Sequence, residues 1–147
     1  MCIKSFFSPS NQSTAISAGL LILRVVAGLA FIYHGWGKIQ NPMAWMGPDA
    51  PVPGFLQLLA AVSEFGGGIA WILGLLTRLA SIGMMFTMIV AVLMHAVMLK
   101  DPFVNMTMAP APSYELAAVY LAISILLITI GAGKFSLDKV FFKDTLS

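Results

Sequence analysis

A bundle of membrane-crossing helices is the fold this sequence predicts, on three observations. Hydrophobic residues make up 59% of the 147 and charged ones only 10%, with a mean hydropathy of +0.93, too little polarity to coat a soluble domain of this size. Four apolar stretches come close to the roughly 20 residues that about 30 Å of hydrocarbon demands. None alternates polar and apolar residues over the roughly ten-residue segments of a membrane β-barrel, so helices remain. The expected class is all-α: a polytopic membrane protein, an antiparallel four-transmembrane-helix bundle, with residues 1–147 as one domain. No room is left for a separate soluble catalytic domain, so any chemistry belongs to the bundle or its rims.

The first span is expected near residues 15–36 and carries Arg24 inside it. Its basic start could suggest a cleaved signal. However, the run is long and ends in Tyr33-His34-Gly35-Trp36 without a small-residue cleavage pattern, so it is expected to be retained. The second span, near 54–76, carries Glu64 about ten residues from its start. A tight connection holding Arg78 leads into the third, near 79–99, and the fourth runs near 114–132 up to Gly131-Ala132-Gly133. The tail, 134–143, reads as a short amphipathic segment lying on the membrane surface. Trp36 and Trp45 at one interface and Trp71 nearer the other suit aromatic belts.

Topology follows from the basic residues outside the spans. Lys4, Arg78, Lys134, Lys139 and Lys143 fall on one side, and Lys38 and Lys100 on the other, which places both termini in the cytoplasm and the loops 38–53 and 100–112 outside. Both loops are rich in Pro and Met and are expected to form irregular lids on the outer rim. A net charge of +2 gives no reason to expect nucleic acid. Cys2 is the sole cysteine, which excludes an intramolecular disulfide and a CxxC relay.

Helical spacing collects the polar residues onto one face per span. Arg24, Ala27, Phe31, His34 and Lys38 share a stripe bordered by Gly28 and Gly35; Gln57, Glu64, Trp71 and Arg78 share another with Gly67; Ser81, Met84, Met88, Ala91 and His95 form a third. The fourth holds Glu115, Ala118, Ala122, Thr129 and Gly133. Each polar face is also the small-residue face, so close packing at Gly28, Gly35 and Gly67 turns these stripes inward, although such faces could also pack a second copy. Arg24 and Glu64 then fall in the middle third of the membrane and are expected to meet as a buried ion pair, since an intramembrane charge needs a partner or a function.

Toward the outer surface, His34, Lys38, His95, Lys100, Asp101 and Glu115 are expected to converge. His34, His95 and Glu115 become the candidate catalytic residues, and Lys38, Tyr114 and Gln57 the candidate ligand contacts. Each also has a plainer role available. Arg24 with Glu64 would fix helix register, Glu115 would complement the start of a helix, and Lys38 would anchor at the interface. Met94, Met98, Met106 and Met108 near His95 suit soft Cu(I) in composition, but no tandem Met motif is present and no metal is expected.

The first-span run Leu23-Arg24 through His34-Gly35-Trp36-Gly37-Lys38 resembles the signature of DoxX-type membrane proteins. Glu64-Phe65-Gly66-Gly67-Gly68, Leu73-Gly74-Leu75-Leu76-Thr77-Arg78, His95, Tyr114-Glu115 and Gly131-Ala132-Gly133-Lys134-Phe135-Ser136 resemble the same family in register. The resemblance implies a four-helix protein of the bacterial inner membrane, with some relatives serving as membrane subunits of quinone-linked oxidoreductases. Relatives that handle thiols carry cysteines, and the spans here have none. Two functional classes follow. In one, an outer polar pocket holds a redox molecule such as a quinone and works with an oxidoreductase partner. In the other, the chain is a non-catalytic scaffold or small-molecule binder that docks a partner protein. No haem, flavin or metal motif is encoded, so the chain itself supplies no redox centre.

Overall fold

The computed structural model describes residues 6–7, 12–107 and 109–142, so Cys2, Lys4, Met108 and Lys143 lie outside the described residues. Helix is the regular structure, with no strand among the described residues. Helix α1 spans Thr14–Gln40 and is capped by Ser13, whose Oγ accepts from Ile16 N at 3.2 Å. It runs four residues beyond the expected 36, and at 27 residues it is about 40 Å long. Helix α2 spans Gly54–Leu73 and stops at Gly74, which takes the left-handed φ of 63° that favours glycine. Helix α3 spans Thr77–Leu93 and continues as a π-helical turn, Met94–Met98. Helix α4 spans Glu115–Ile130 and the short α5 Leu137–Phe141.

By length and composition, three helices can cross a membrane: Thr14–Gln40, Gly54–Leu73 and the continuous Thr77–Met98. Helix α4 is equally apolar but shorter, at 16 residues or about 24 Å. Ile22, Val26, Phe86 and Val90 are each more than half exposed. A surface so rich in large aliphatics suits lipid and not water.

From α1 to α4, each helix packs against the next in the chain. Helices α1 and α2 approach at glycines: a Cβ on Gly28 would stand 2.6 Å from Gly68 O, and one on Gly35 would stand 2.5 Å from Phe65 N. These pairings run in opposite directions along the two helices, so they are antiparallel. Gly67 lies against Met84 of α3, and Trp71 Nε1 donates to Ser81 Oγ at 2.9 Å. The core, Leu20, Ala27, Phe31, Trp71, Met84, Met88 and Leu127, draws on α1, α2, α3 and α4, and the tilted ring of Phe31 meets Tyr120 at 4.6 Å. Trp71 is fully buried in it and takes no part in an aromatic belt.

The bundle therefore has two distinct ends. The loop end holds the connections 41–53 and 99–114; the terminal end holds the turn 74–76, the start of α1 and the tail.

Candidate functional site

At the loop end, the extra turn of α1 carries Lys38 into the bundle. Its Nζ lies 2.6 and 2.7 Å from the two oxygens of Glu64, whose side chain is only 4% exposed. The close α1–α2 approach at Gly35 allows this reach. The indole of Trp45 covers the ammonium at 4.5 Å, so Lys38 sits between a carboxylate and an aromatic face. Buried Gln57 fixes Trp45 in place: Trp45 Nε1 donates to Gln57 O at 3.0 Å, while the Gln57 side chain accepts from Met46 N at 3.0 Å and donates to Val52 O at 2.8 Å. The loop 41–53 is thus tied down over the ion pair by one side chain of α2.

A second ion pair lies at the same end. The π turn, closed by Leu99 N donating to Met94 O at 2.9 Å, widens the helix so that His95 O receives Asp101 N at 2.9 Å. His95 Nδ1 then lies 2.7 Å from Asp101 Oδ2, with the two side chains 35% and 13% exposed. In a neutral ring this bond puts the proton on Nδ1 and leaves Nε2 as an acceptor facing outward from the pair. Beside the turn, a cleft of about 340 Å³ is lined by Pro51, Val52, Val90, Leu93, Met94, Val97 and Met98. His34, Glu115 and Lys100 are exposed and join neither pair, and Tyr114 packs on Phe103 at 5.3 Å, its N–H donating to Pro102 O. Among the described residues no three His, Cys, Asp or Glu side chains stand close enough to hold a metal.

The terminal end is built differently. Fully buried Arg24 donates to Trp71 O at 3.0 Å and to Phe135 O at 2.6 Å. Asp138, from α5, accepts from Leu76 N at 2.6 Å and Thr77 N at 2.9 Å, capping the first turn of α3 from 61 residues away. These two hydrogen bonds, one from Leu76 itself, hold Leu76 at φ 49°, a left-handed conformation costly for a side chain of its size. Every partner here is backbone.

The family model described as DoxX matches residues 19–96, just over half of the chain, and takes in Arg24, Lys38, Glu64 and His95. The chain belongs to the DoxX family. Inner membrane protein YqjF of Escherichia coli K12 is 33% identical over 132 residues, 85% of this chain and 93% of that one. A Haemophilus influenzae protein is 34% identical, covering 84% and 91%. A Bacillus subtilis protein bearing the name "Putative oxidoreductase CatD" is 32% identical, covering 90% and 92%. No solved structure matches the chain significantly.

In this DoxX chain the expected Arg24–Glu64 pair does not form. The two residues stand at different levels: Arg24 is level with Trp71 at the close of α2, whereas Glu64, seven residues earlier at the middle of α2, is drawn toward Lys38 on the loop side. Both charges prove to be partnered, each with a group that sequence spacing did not select. The tail also departs from a simple surface segment, because Asp138 and the Phe135 carbonyl turn into the bundle while Val140 and Phe141 stay exposed. A Ser-Leu-Asp run after a Gly-rich helix end was the available signal, since Ser136 Oγ caps Lys139 N at 3.2 Å and so points Asp138 inward. Asp101 was already expected in the outer cluster with His95, whereas Trp45 had no such signal, because loop geometry brings it over Lys38.

Proposed function

We propose that this DoxX chain is a four-crossing protein of the bacterial inner membrane and an accessory membrane subunit of a quinone-linked oxidoreductase. In this reading α4 is the fourth crossing, the terminal end is cytoplasmic, and the loop end faces out. The observation that carries the proposal is that both ion pairs among the described residues, Lys38–Glu64 and His95–Asp101, gather at the loop end. An ionisable group held inside apolar helices is expected to serve a pathway or a site.

The apolar residues there suit the apolar body of a quinone, with His95 on the adjoining turn. An apolar cleft of about 340 Å³ adjoins the π turn that carries His95, and it lies in the size range of small-molecule sites. A quinone, when bound, supplies a two-electron acceptor whose reduction consumes two protons, and a partner protein would supply the electrons. His95, oriented by Asp101, would hold and exchange a proton at Nε2. Gln57, through its bond to Val52 O, would hold the loop segment that lines the cleft, Lys38 and Glu64 would lie beneath Trp45, Tyr114 would lie near the loop that follows α3, and His34 and Glu115 would exchange protons with solvent at the rim. The name of the Bacillus subtilis relative lends support to a redox setting.

A second reading, a non-catalytic scaffold docking a partner, is favoured by one observation: Arg24, Glu64 and Asp138, the buried charges of the described residues, are all partnered within the chain. To decide, the protein would be purified in mild detergent and its retained small molecules analysed by mass spectrometry, with His95→Ala and Glu64→Gln alongside. The site reading expects a quinone or other redox molecule held by the wild type and lost from folded variants. Identical contents across the three proteins would leave the scaffold.

A further inference from the structure

We infer that the terminal end carries a docking face for anionic phospholipid headgroups, formed by Lys134 and Lys139 over an apolar rim of Phe135, Val140 and Phe141. Phe135 is 46% exposed, Val140 70% and Phe141 63%, on a segment that begins where α4 stops. The rim therefore sits at the level where the apolar helices end, the depth at which an apolar side chain enters the acyl boundary and a lysine reaches the headgroups. The face is tied to the bundle on both sides. Asp138 anchors it to the start of α3, and Phe142 meets Phe7 of the N-terminal segment at 5.2 Å.

Charge names the occupant. Asp138 is the only acidic residue described at this end; it is 2% exposed, and both its oxygens are taken by backbone N–H groups. Lys134 and Lys139 thus form no ion pair among the described residues, and Lys134 makes only a long bond, 3.4 Å, to Thr14 Oγ1. Among the described residues exposed charge here is positive, whereas the loop end mixes Lys100 with exposed Asp49 and Glu115. A lipid phosphate supplies the anion that the described residues withhold.

The test incubates the full-length protein with mixed micelles of phosphatidylglycerol and phosphatidylcholine of matched chains, re-purifies it and quantifies retained lipid. The wild type should enrich phosphatidylglycerol. Lys134→Gln/Lys139→Gln should cut that enrichment by about fivefold per lysine, and Val140→Ser/Phe141→Ser should lower retention of both lipids without changing their ratio. High salt should weaken the wild-type preference, a measurement that needs no variant. Equal retention of the two lipids by the wild type, a preference that ignores salt, or a preference unchanged in the lysine variant would overturn the assignment.

Discussion

The two ends of the bundle solve the same problem, a charge among apolar helices, in opposite ways. At the terminal end, Arg24 and Asp138 spend their hydrogen bonds on backbone: two carbonyls for the guanidinium, two N–H groups for the carboxylate. At the loop end, Lys38 with Glu64 and His95 with Asp101 bond side chain to side chain, and Lys38 and His95 remain 25% and 35% exposed. A charge bound to backbone fixes where chain segments lie, and the one guanidinium nitrogen of Arg24 left unpaired, Nε, is buried among the helices. A charge bound to another side chain can be rearranged by rotamer changes alone, without moving a helix. The contrast separates the part of the molecule that holds the fold from the part suited to chemistry.

The strongest way to break that contrast is Asp138→Ala. It strips the cap from Leu76 and Thr77 and leaves two N–H groups unpaired, so unfolding in detergent, followed by loss of helical circular dichroism, should become easier by about 3–5 kcal/mol. An effect below about 1 kcal/mol would mean that the tail rests on the bundle without organising it.

Next comes Lys38→Met, which leaves Glu64 buried and unpaired at an expected cost of about 3 kcal/mol. The informative comparison is between double variants. Lys38→Met/Glu64→Leu replaces both halves of a pair by apolar groups and should return to within about 1 kcal/mol of wild type. Arg24→Met/Asp138→Leu should stay destabilised, because it orphans the N–H groups of Leu76 and Thr77 and two carbonyls. Full recovery of the second double variant would erase the distinction between the ends.

Apolar run lengths and stripe spacing were enough to read the all-helical class, the long crossings and the inward faces of Arg24, Lys38 and Glu64. Helix α1 was underestimated because Gly37, Lys38 and Gln40 look like loop composition, yet the helix continues through them to Gln40. The partners of Arg24 were not legible, since both are backbone carbonyls, which any residue could have presented. The same holds for the π turn, whose shift in hydrogen bonding from Met94 to Leu99 leaves no compositional trace. Periodicity locates faces; it does not specify axial offsets between helices, and those offsets decided that Glu64 meets Lys38.

Glycine substitutions probe the offset directly. Gly35→Ala would push a methyl into Phe65 backbone and separate α1 from α2 just below the Lys38–Glu64 pair, at about 1–3 kcal/mol. Gly66→Ala, one residue along α2 from Phe65, meets nothing within 4 Å and should be neutral or stabilising. If the two variants behaved alike in thermal unfolding, close helix approach would not be what brings Lys38 to Glu64.

The smallest expected change in stability belongs to the residue with the largest expected change in function. His95→Gln removes a partly exposed pair, which contributes less than about 1 kcal/mol, and the Met94–Met98 turn keeps its backbone bond through Leu99 N. Stability should therefore stay near wild type while any redox molecule retained by the protein is lost, because glutamine keeps a hydrogen bond to Asp101 but presents no ring nitrogen where Nε2 would meet the ligand. Asp101→Asn sharpens the point: it weakens the orientation of the ring without deleting it, so retention should fall partway. Were His95→Gln to retain as much as wild type while Lys38→Met/Glu64→Leu lost everything, the chemistry would belong to the buried pair beneath Trp45, and the His95–Asp101 pair would be a clasp for the loop that follows α3.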